Sequence, residues 1–202
     1  MIAAIIDYGM GNVASVQKAL TLLGIENVIS NDPEVIRSSK YIILPGVGSF
    51  AQGMENLKES LLDKVIVEEA LIKKKPFIGI CLGMQLIATT GTEPYEAPGL
   101  NLIEGKIIKI ESTNLRTPHL GWNELNAPDD SFFTDFNKKD FYFIHSYHFQ
   151  VDDEKSIGAT VNYGKDYVAA IQKENIFATQ FHPEKSQKYG IELLDKFFKK
   201  NA

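Results

Sequence analysis

Apolar and polar positions along this chain follow two regimes. In the first hundred residues, short apolar runs of strand length (Ile2–Ile6, Lys40–Leu44, Pro76–Ile80, with Glu26–Ile29 between them) alternate with longer stretches of helical spacing, Asn12–Leu23 and Met54–Lys73. Continuously apolar strands that alternate with helices predict a parallel sheet covered on both faces. From Leu100 onward the runs shorten and turns separate them: Leu102–Ile110, Tyr142–Ile144, Phe149–Val151, Ala159–Val161, Val168–Gln172 and Ile176–Gln180. The last two read as a hairpin within Ala169–Ala178. The chain closes in an amphipathic helix, Gln187–Lys199, with Ile191, Leu194, Phe197 and Phe198 on one side. The expectation is an α/β fold of three layers, a mostly parallel central sheet flanked by helices. No repeat, low-complexity tract or linker interrupts it, so residues 1–202 read as one domain.

Composition narrows the picture. At 202 residues and 44% hydrophobic content, the chain is long enough for a full core. A net charge of −5 argues against nucleic acid or an anionic membrane as partner. One cysteine cannot form an internal disulfide, so nothing points to an oxidising compartment. The opening Met1–Ile6 is too short for a signal sequence and lacks a basic flank, and no other apolar run reaches membrane-spanning length. A cytoplasmic chain is expected.

The candidate chemistry sits on that lone cysteine, Cys81, in Gly79-Ile80-Cys81-Leu82-Gly83-Met84-Gln85. An apolar strand runs into the thiol and a helical pattern leaves it, with glycines two residues to either side. This is the pattern of a nucleophile elbow, a sharp turn that side chains at the flanking positions would crowd. The N-terminus of the following helix would favour the thiolate. The bland alternative, a small buried core thiol, is about as probable on this run alone. A second cluster far down the chain, Phe181-His182-Pro183-Glu184, shifts the balance. Pro183 pushes His182 toward extended backbone, where residues two apart share a face, so Glu184 can orient the imidazole. A cysteine nucleophile needs a base, and the base needs a group that fixes its tautomer. Cys81, His182 and Glu184 fill those three roles. The glycine-rich Leu44–Phe50 loop after a strand can bring backbone N–H groups close to a ligand, as an oxyanion hole requires, although it can equally be a plain tight turn.

These two motifs resemble the signatures of the class I glutamine amidotransferases, and the likeness covers essentially the whole chain. Asp7-Tyr8-Gly9-Met10-Gly11-Asn12, Pro118-His119-Leu120-Gly121-Trp122-Asn123 and Phe143-Ile144-His145-Ser146-Tyr147 narrow it to the branch that serves histidine biosynthesis. The resemblance implies a flavodoxin-like fold and glutamine as substrate. It implies no cofactor, and a heterodimer in which ammonia passes to a cyclase-type synthase. By the same resemblance Gly46, Val47 and Leu82 would form the oxyanion hole. Gly48, Gln85, Ser146 and Tyr147 would bind substrate, and Asn12, Trp122 and Lys185 would face the synthase. Ser49, His148 and the stretch Thr89–Pro98, which lacks an acidic run, depart from the family pattern without touching the triad.

Other readings stay open at this level. Related glutaminases supply ammonia to synthases that amidinate sugars for surface glycans. A catalytically silent binding protein requires the triad to be accidental, and a cysteine peptidase requires a long open cleft. Gly9-Met10-Gly11-Asn12-Val13-Ala14 matches the G-x-G-x-x-A of dinucleotide-binding folds, with Glu26 or Asp32 near the ribose-binding distance, but a lone match specifies little. Trp122 is also readable as a partly buried core aromatic, and Gln85 as a solvated helix residue. His145 and His148, three apart on one expected strand, would face opposite ways, and no cysteine pair or H-E-x-x-H accompanies them, so no metal is expected.

Overall fold

The structure, a computed structural model, describes residues 2–111 and 115–202, so Met1 of the opening apolar run lies outside it. The first half of the chain lays down β1 (Ala3–Ile6), α1 (Val13–Leu22), β2 (Asn27–Ser30), α2 (Pro33–Ser38), β3 (Tyr41–Gly46), α3 (Phe50–Glu59), α4 (Leu62–Val67), β4 (Phe77–Cys81) and α5 (Leu82–Leu86). The second half adds β5 (Thr90–Gly91), β6 (Ala97–Pro98), β7 (Gly105–Lys109), β8 (His119–Asn126), β9 (Asp140–His145), β10 (Tyr147–Val151), β11 (Ile157–Asn162), β12 (Asp166–Lys173), β13 (Ile176–Thr179) and α6 (Gln187–Lys200). The main sheet has the order β2-β1-β3-β4-β13-β12-β11-β8-β9. Its strands are parallel from β2 to β13 and antiparallel from β13 to β9. A smaller sheet, β10-β7-β5-β6, stands apart.

Alternation along the parallel strands explains why three layers form. Ala3, Ile5, Tyr41, Ile43, Ile78 and Ile80 point into one core, with Val16 and Leu20 of α1 and Leu194 and Phe197 of α6. Ala4, Ile6, Ile42, Leu44 and Phe77 point into the other, under α2, α3, α4 and α5 and against Ile107 and Phe149 of the small sheet. Both faces of these strands are therefore covered, as their uninterrupted apolar sequence requires.

Three differences from the sequence expectation have local causes. The stretch Met54–Lys73 is not one helix: Leu61 takes a left-handed backbone (φ 59°), which separates α3 from α4, and α4 continues into a π-helical turn, Glu68–Ile72. The hydroxyl of Ser60 bonds back to the Asn56 carbonyl at 2.7 Å, closing α3 in place of a helical successor. Helix α2 went unpredicted although its start signal is present, with Asp32 as N-cap and Pro33 in the first turn. Asp32 accepts the Glu34 N–H at 2.8 Å, so it caps a helix here and is not held out toward a ribose. Finally, His145 and His148 do not share a strand. The chain crosses from the large sheet to the small one at Ser146, whose carbonyl accepts from Ile110 N–H at 2.9 Å, and leaves His145 on β9 and His148 on β10.

Candidate active site

β3 and β4 run side by side with Gly46 opposite Cys81, so the glycine-rich loop and the cysteine emerge together at the carboxyl edge of the sheet. Cys81 has φ 55° and ψ −108°, a conformation that L-residues rarely adopt and that costs on the order of 1–3 kcal/mol. Close packing imposes it. A side chain on Gly83 would lie 1.7 Å from the Leu44 carbonyl oxygen, and one on Gly79 would lie 2.7 Å from that of Gly83. Only two glycines allow α5 to turn back this tightly over β3 and β4. Because α5 has only five residues, its dipole is a small influence on the sulfur.

His182 follows β13, the strand next to β4. Its N–H donates to the Tyr142 carbonyl at 3.0 Å, and its carbonyl accepts from Ser186 Oγ at 2.6 Å, which in turn accepts the Tyr142 N–H at 3.0 Å. Phe181, fully buried against Phe141, anchors the preceding residue. His182 is 2% exposed, and its Nδ1 lies 2.7 Å from Glu184 Oε1. Burial works against a charged imidazole, but Cys81 and Glu184 outweigh it and raise the His182 pKa to about 9. Near neutral pH this favours an imidazolium beside the sulfur. The Nε2 atom makes no hydrogen bond among the described residues and remains available for a reacting group.

Val47, Gly48, Cys81, Leu82, Gln85, Ser146 and Tyr147 line one cavity of about 400 Å³. Gly46 lies beneath it: a side chain there would meet the Tyr8 hydroxyl at 2.2 Å and Leu82 Cβ at 2.8 Å. The Tyr8 hydroxyl is buried without a hydrogen-bond partner among the described residues, and burial, then the nearby Cys81, push its pKa up. Gln85 is 4% exposed and donates to the Tyr147 carbonyl at 3.2 Å, so the solvated reading fails.

Two residues of the site escaped the sequence reading. Glu93 brings a carboxylate to the cavity wall, where burial raises its pKa and a Phe50 N–H hydrogen bond works the other way. It sits in a loop with no motif of its own, so nothing in the sequence singled it out. Gln180 is fully buried, with Nε2 3.8 Å from Cys81 Sγ. Its only signal was its place in the segment that leads from β13 into the His182 motif.

The residues implied to face a synthase surround the His182 turn. Asn12 caps α1, which packs on the turn Pro183–Lys185 that contains Lys185. Trp122, on β8, lies edge-on to Tyr142, itself beside the His182 ring. Trp122 is 45% exposed, together with Leu120 and Ile144, so the core-aromatic reading fails. The Gly9–Gly11 loop packs on β3: a side chain on Gly11 would lie 3.2 Å from Gly46 Cα. That leaves the glycine motif packed beneath the glycine-rich loop after β3.

Fold and site together define an α/β protein in which a cysteine at a strained turn stands beside a buried histidine–glutamate pair at a cavity wall. The chain belongs to the class I glutamine amidotransferase family, whose model matches residues 4–201. It is 46% identical over 197 residues to imidazole glycerol phosphate synthase subunit HisH 1 of Campylobacter jejuni, covering 96% of this chain and 98% of that one. It is 42% identical to HisH 2 of Methanococcus maripaludis (97% and 98% covered) and 43% identical to HisH of Geobacter sulfurreducens (96% of each). Among solved structures it resembles a glutamine amidotransferase (TM-score 0.76, 19% identity, 96% and 98% covered) and PurLQS of Thermotoga maritima (TM-score 0.70, 20% identity, 98% and 95% covered). Among the described residues no helix is long and apolar enough to cross a membrane.

Proposed function

We propose that this chain is the glutaminase subunit of an imidazole glycerol phosphate synthase, one catalytic unit over residues 1–202 that works in the cytoplasm docked to a cyclase subunit. The observation that carries the chemistry is Cys81 held at a strained elbow beside the buried His182–Glu184 pair, at the wall of a cavity sized for an amino acid. The pathway rests on the HisH relatives, similar over nearly the full length of both chains.

The Cys81 thiolate attacks the side-chain carbonyl carbon of glutamine, and the resulting oxyanion accepts from the N–H groups of Val47 and Leu82. His182 gives its proton to the leaving nitrogen, ammonia departs, and a thioester remains. The neutral imidazole then takes a proton from water, whose oxygen attacks the thioester. Glutamate leaves and the Cys81–His182 pair is restored. Water supplies the oxygen, so no cofactor enters the balance. Glu93 is suited to the substrate's α-ammonium, and the backbone at Gly48, Ser146 and Tyr147 to its carboxylate. Asn12, Trp122 and Lys185 form the docking face, beside the imidazole that releases ammonia.

The numbered copies HisH 1 and HisH 2 of Methanococcus maripaludis are both imidazole glycerol phosphate synthase subunits, so copy number alone assigns no partner, and a duplicate that serves a sugar-amidinating synthase is the alternative to test. Glutamate release measured alone, with a histidine-pathway cyclase and with a sugar-amidinating synthase separates the two. Stimulation by the cyclase is expected. Stimulation by the other synthase alone favours the duplicate, and no glutamate under any condition overturns both.

A further inference from the structure

A chain of polar side chains reaches the nucleophile from β8, and each of its hydrogen bonds has a single possible direction. Its fixed point is the Tyr147 carbonyl, which can only accept. His145 Nδ1 lies 2.8 Å from that oxygen and must carry the proton, which leaves His145 Nε2 an acceptor. His119 Nδ1, 2.9 Å from that Nε2, is therefore the donor, and His119 Nε2 accepts from the Asn123 amide. From the other side Gln85 Nε2 donates to the same carbonyl at 3.2 Å, which fixes the orientation of the Gln85 amide. The Gln85 amide nitrogen also lies 3.1 Å from Gln180 Oε1, so that atom is the acceptor and the Gln180 NH2 must face Cys81 Sγ, 3.8 Å away. The orientation of Gln180 thus follows from a backbone carbonyl.

We infer that Gln180 is a further catalytic residue, a dedicated hydrogen-bond donor to the Cys81 thiolate whose orientation is enforced through Gln85 and the Tyr147 carbonyl. A protonated thiol has a different partner, the Ile144 carbonyl, 3.9 Å from Sγ. The sulfur therefore sits between an acceptor suited to S–H and a donor suited to S⁻. Donors to an ionised acceptor bond more strongly than donors to a neutral one, so Gln180 favours the attacking form. His182 and Tyr8 also act on the sulfur, and Glu93, His145 and Tyr147 share its cavity wall. His182 gives its proton away during the reaction, whereas the Gln180 amide cannot, so Gln180 supports the sulfur both before attack and when the thioester breaks. The same amide also links substrate binding to the nucleophile, because Tyr147 lines the substrate cavity.

The inference rests on the glutaminase reading for its role in turnover, but its test does not. The full chain and its Gln180→Leu and Gln180→Met variants are alkylated with iodoacetamide across a pH series, reading modification of the single thiol. Both variants lack the donor, and Met nearly keeps the length, so at least one folded variant is expected. Relative to the parent chain, the variants should show a pH profile displaced upward, with alkylation about tenfold slower on its acid limb. Gln180→Glu, which places a carboxylate against the sulfur, should be slower still. In steady-state glutamine hydrolysis, kcat should fall with KM little changed. A folded Leu or Met variant alkylated at the parental rate across the series overturns the inference. Slowed alkylation in a chain that never hydrolyses glutamine upholds the donor and removes the glutaminase reading.

Discussion

Gly46 shows how one missing side chain decides a site. A methyl group on it would lie 2.2 Å from the Tyr8 hydroxyl and 2.8 Å from Leu82 Cβ, overlapping both. Gly46→Ala should therefore lower stability by about 1–3 kcal/mol, the usual cost of overpacking, and displace the Val47 N–H from the cavity. Adding Tyr8→Phe removes the closer obstacle and a buried hydroxyl with no hydrogen-bond partner among the described residues, so it should restore part of the melting temperature. If the double variant is no more stable than Gly46→Ala alone, Tyr8 is not the obstacle. At the same scale, Cys81→Ser should abolish glutamine hydrolysis while leaving the fold intact, and an electrophilic glutamine analogue should modify Cys81. Labelling that misses Cys81, or undiminished turnover in the serine variant, would remove it as nucleophile. His182→Ala should be nearly as damaging, and Glu184→Gln less so. The Cys81/His182 double variant should be little worse than either single one, because the two act as a unit. Multiplicative losses would show that they act separately.

At the scale of elements, the crossing from β9 to β10 gathers histidines with opposite pH behaviour. Burial lowers the His145 pKa to about 3, with the Tyr147 carbonyl working against it, and lowers that of His119 to about 4. Between these values and 6.5 the unfolded chain binds more protons than the folded one, so stability is lost as pH falls through that window. His182 is raised to about 9, so its contribution is complete below pH 6.5 and is lost as pH rises toward 9. Urea unfolding at a series of pH values should give a maximum near pH 6.5, with an acid limb on the order of a few kcal/mol deep. His119→Phe, which retains a ring between Phe143 and Tyr163, should flatten the acid limb, and His182→Ala the alkaline one. An acid limb unchanged in His119→Phe would assign the acid sensitivity to other groups.

For the whole molecule, the arrangement favours a glutaminase that is slow until docked. Asn12, Lys185 and exposed Trp122 surround the turn that holds His182, and the glycine-rich loop after β3 opens on the cavity with Gly48 at φ 117°, a conformation glycine adopts at little cost. A partner that binds one loop conformation in preference to another shifts the equilibrium by its difference in affinity. A hundredfold stimulation needs only about 2.7 kcal/mol, within reach of an interface of ordinary size. The isolated chain should turn glutamine over slowly, and a cyclase carrying its own substrate should accelerate it. Asn12→Ala and Trp122→Ala should lose that stimulation while Cys81 keeps its alkylation rate. An isolated chain as fast as the complex would show that the loop needs no partner.

Much of this was legible along the chain because it depends on local pattern. Continuous apolar runs at Ala3–Ile6, Tyr41–Leu44 and Phe77–Ile80 become strands buried on both faces, since no other placement removes every side chain from water. Cys81 announces an elbow because only glycines at 79 and 83 let a helix fold back over a sheet so closely. His-Pro-Glu announces an imidazole beside a carboxylate, but Glu184 reaches His182 Nδ1 from the 3₁₀ turn Pro183–Lys185 that begins at His182 and not along an extended strand. Tertiary structure decided whatever depends on which distant segments meet. The break at Leu61, the passage between sheets at Ser146, the carboxylate of Glu93 and the burial of Gln180 beside the sulfur leave no periodic trace. Each follows from the space and hydrogen-bond partners that other strands provide, and those are fixed only once β4, β9 and β13 lie in one sheet.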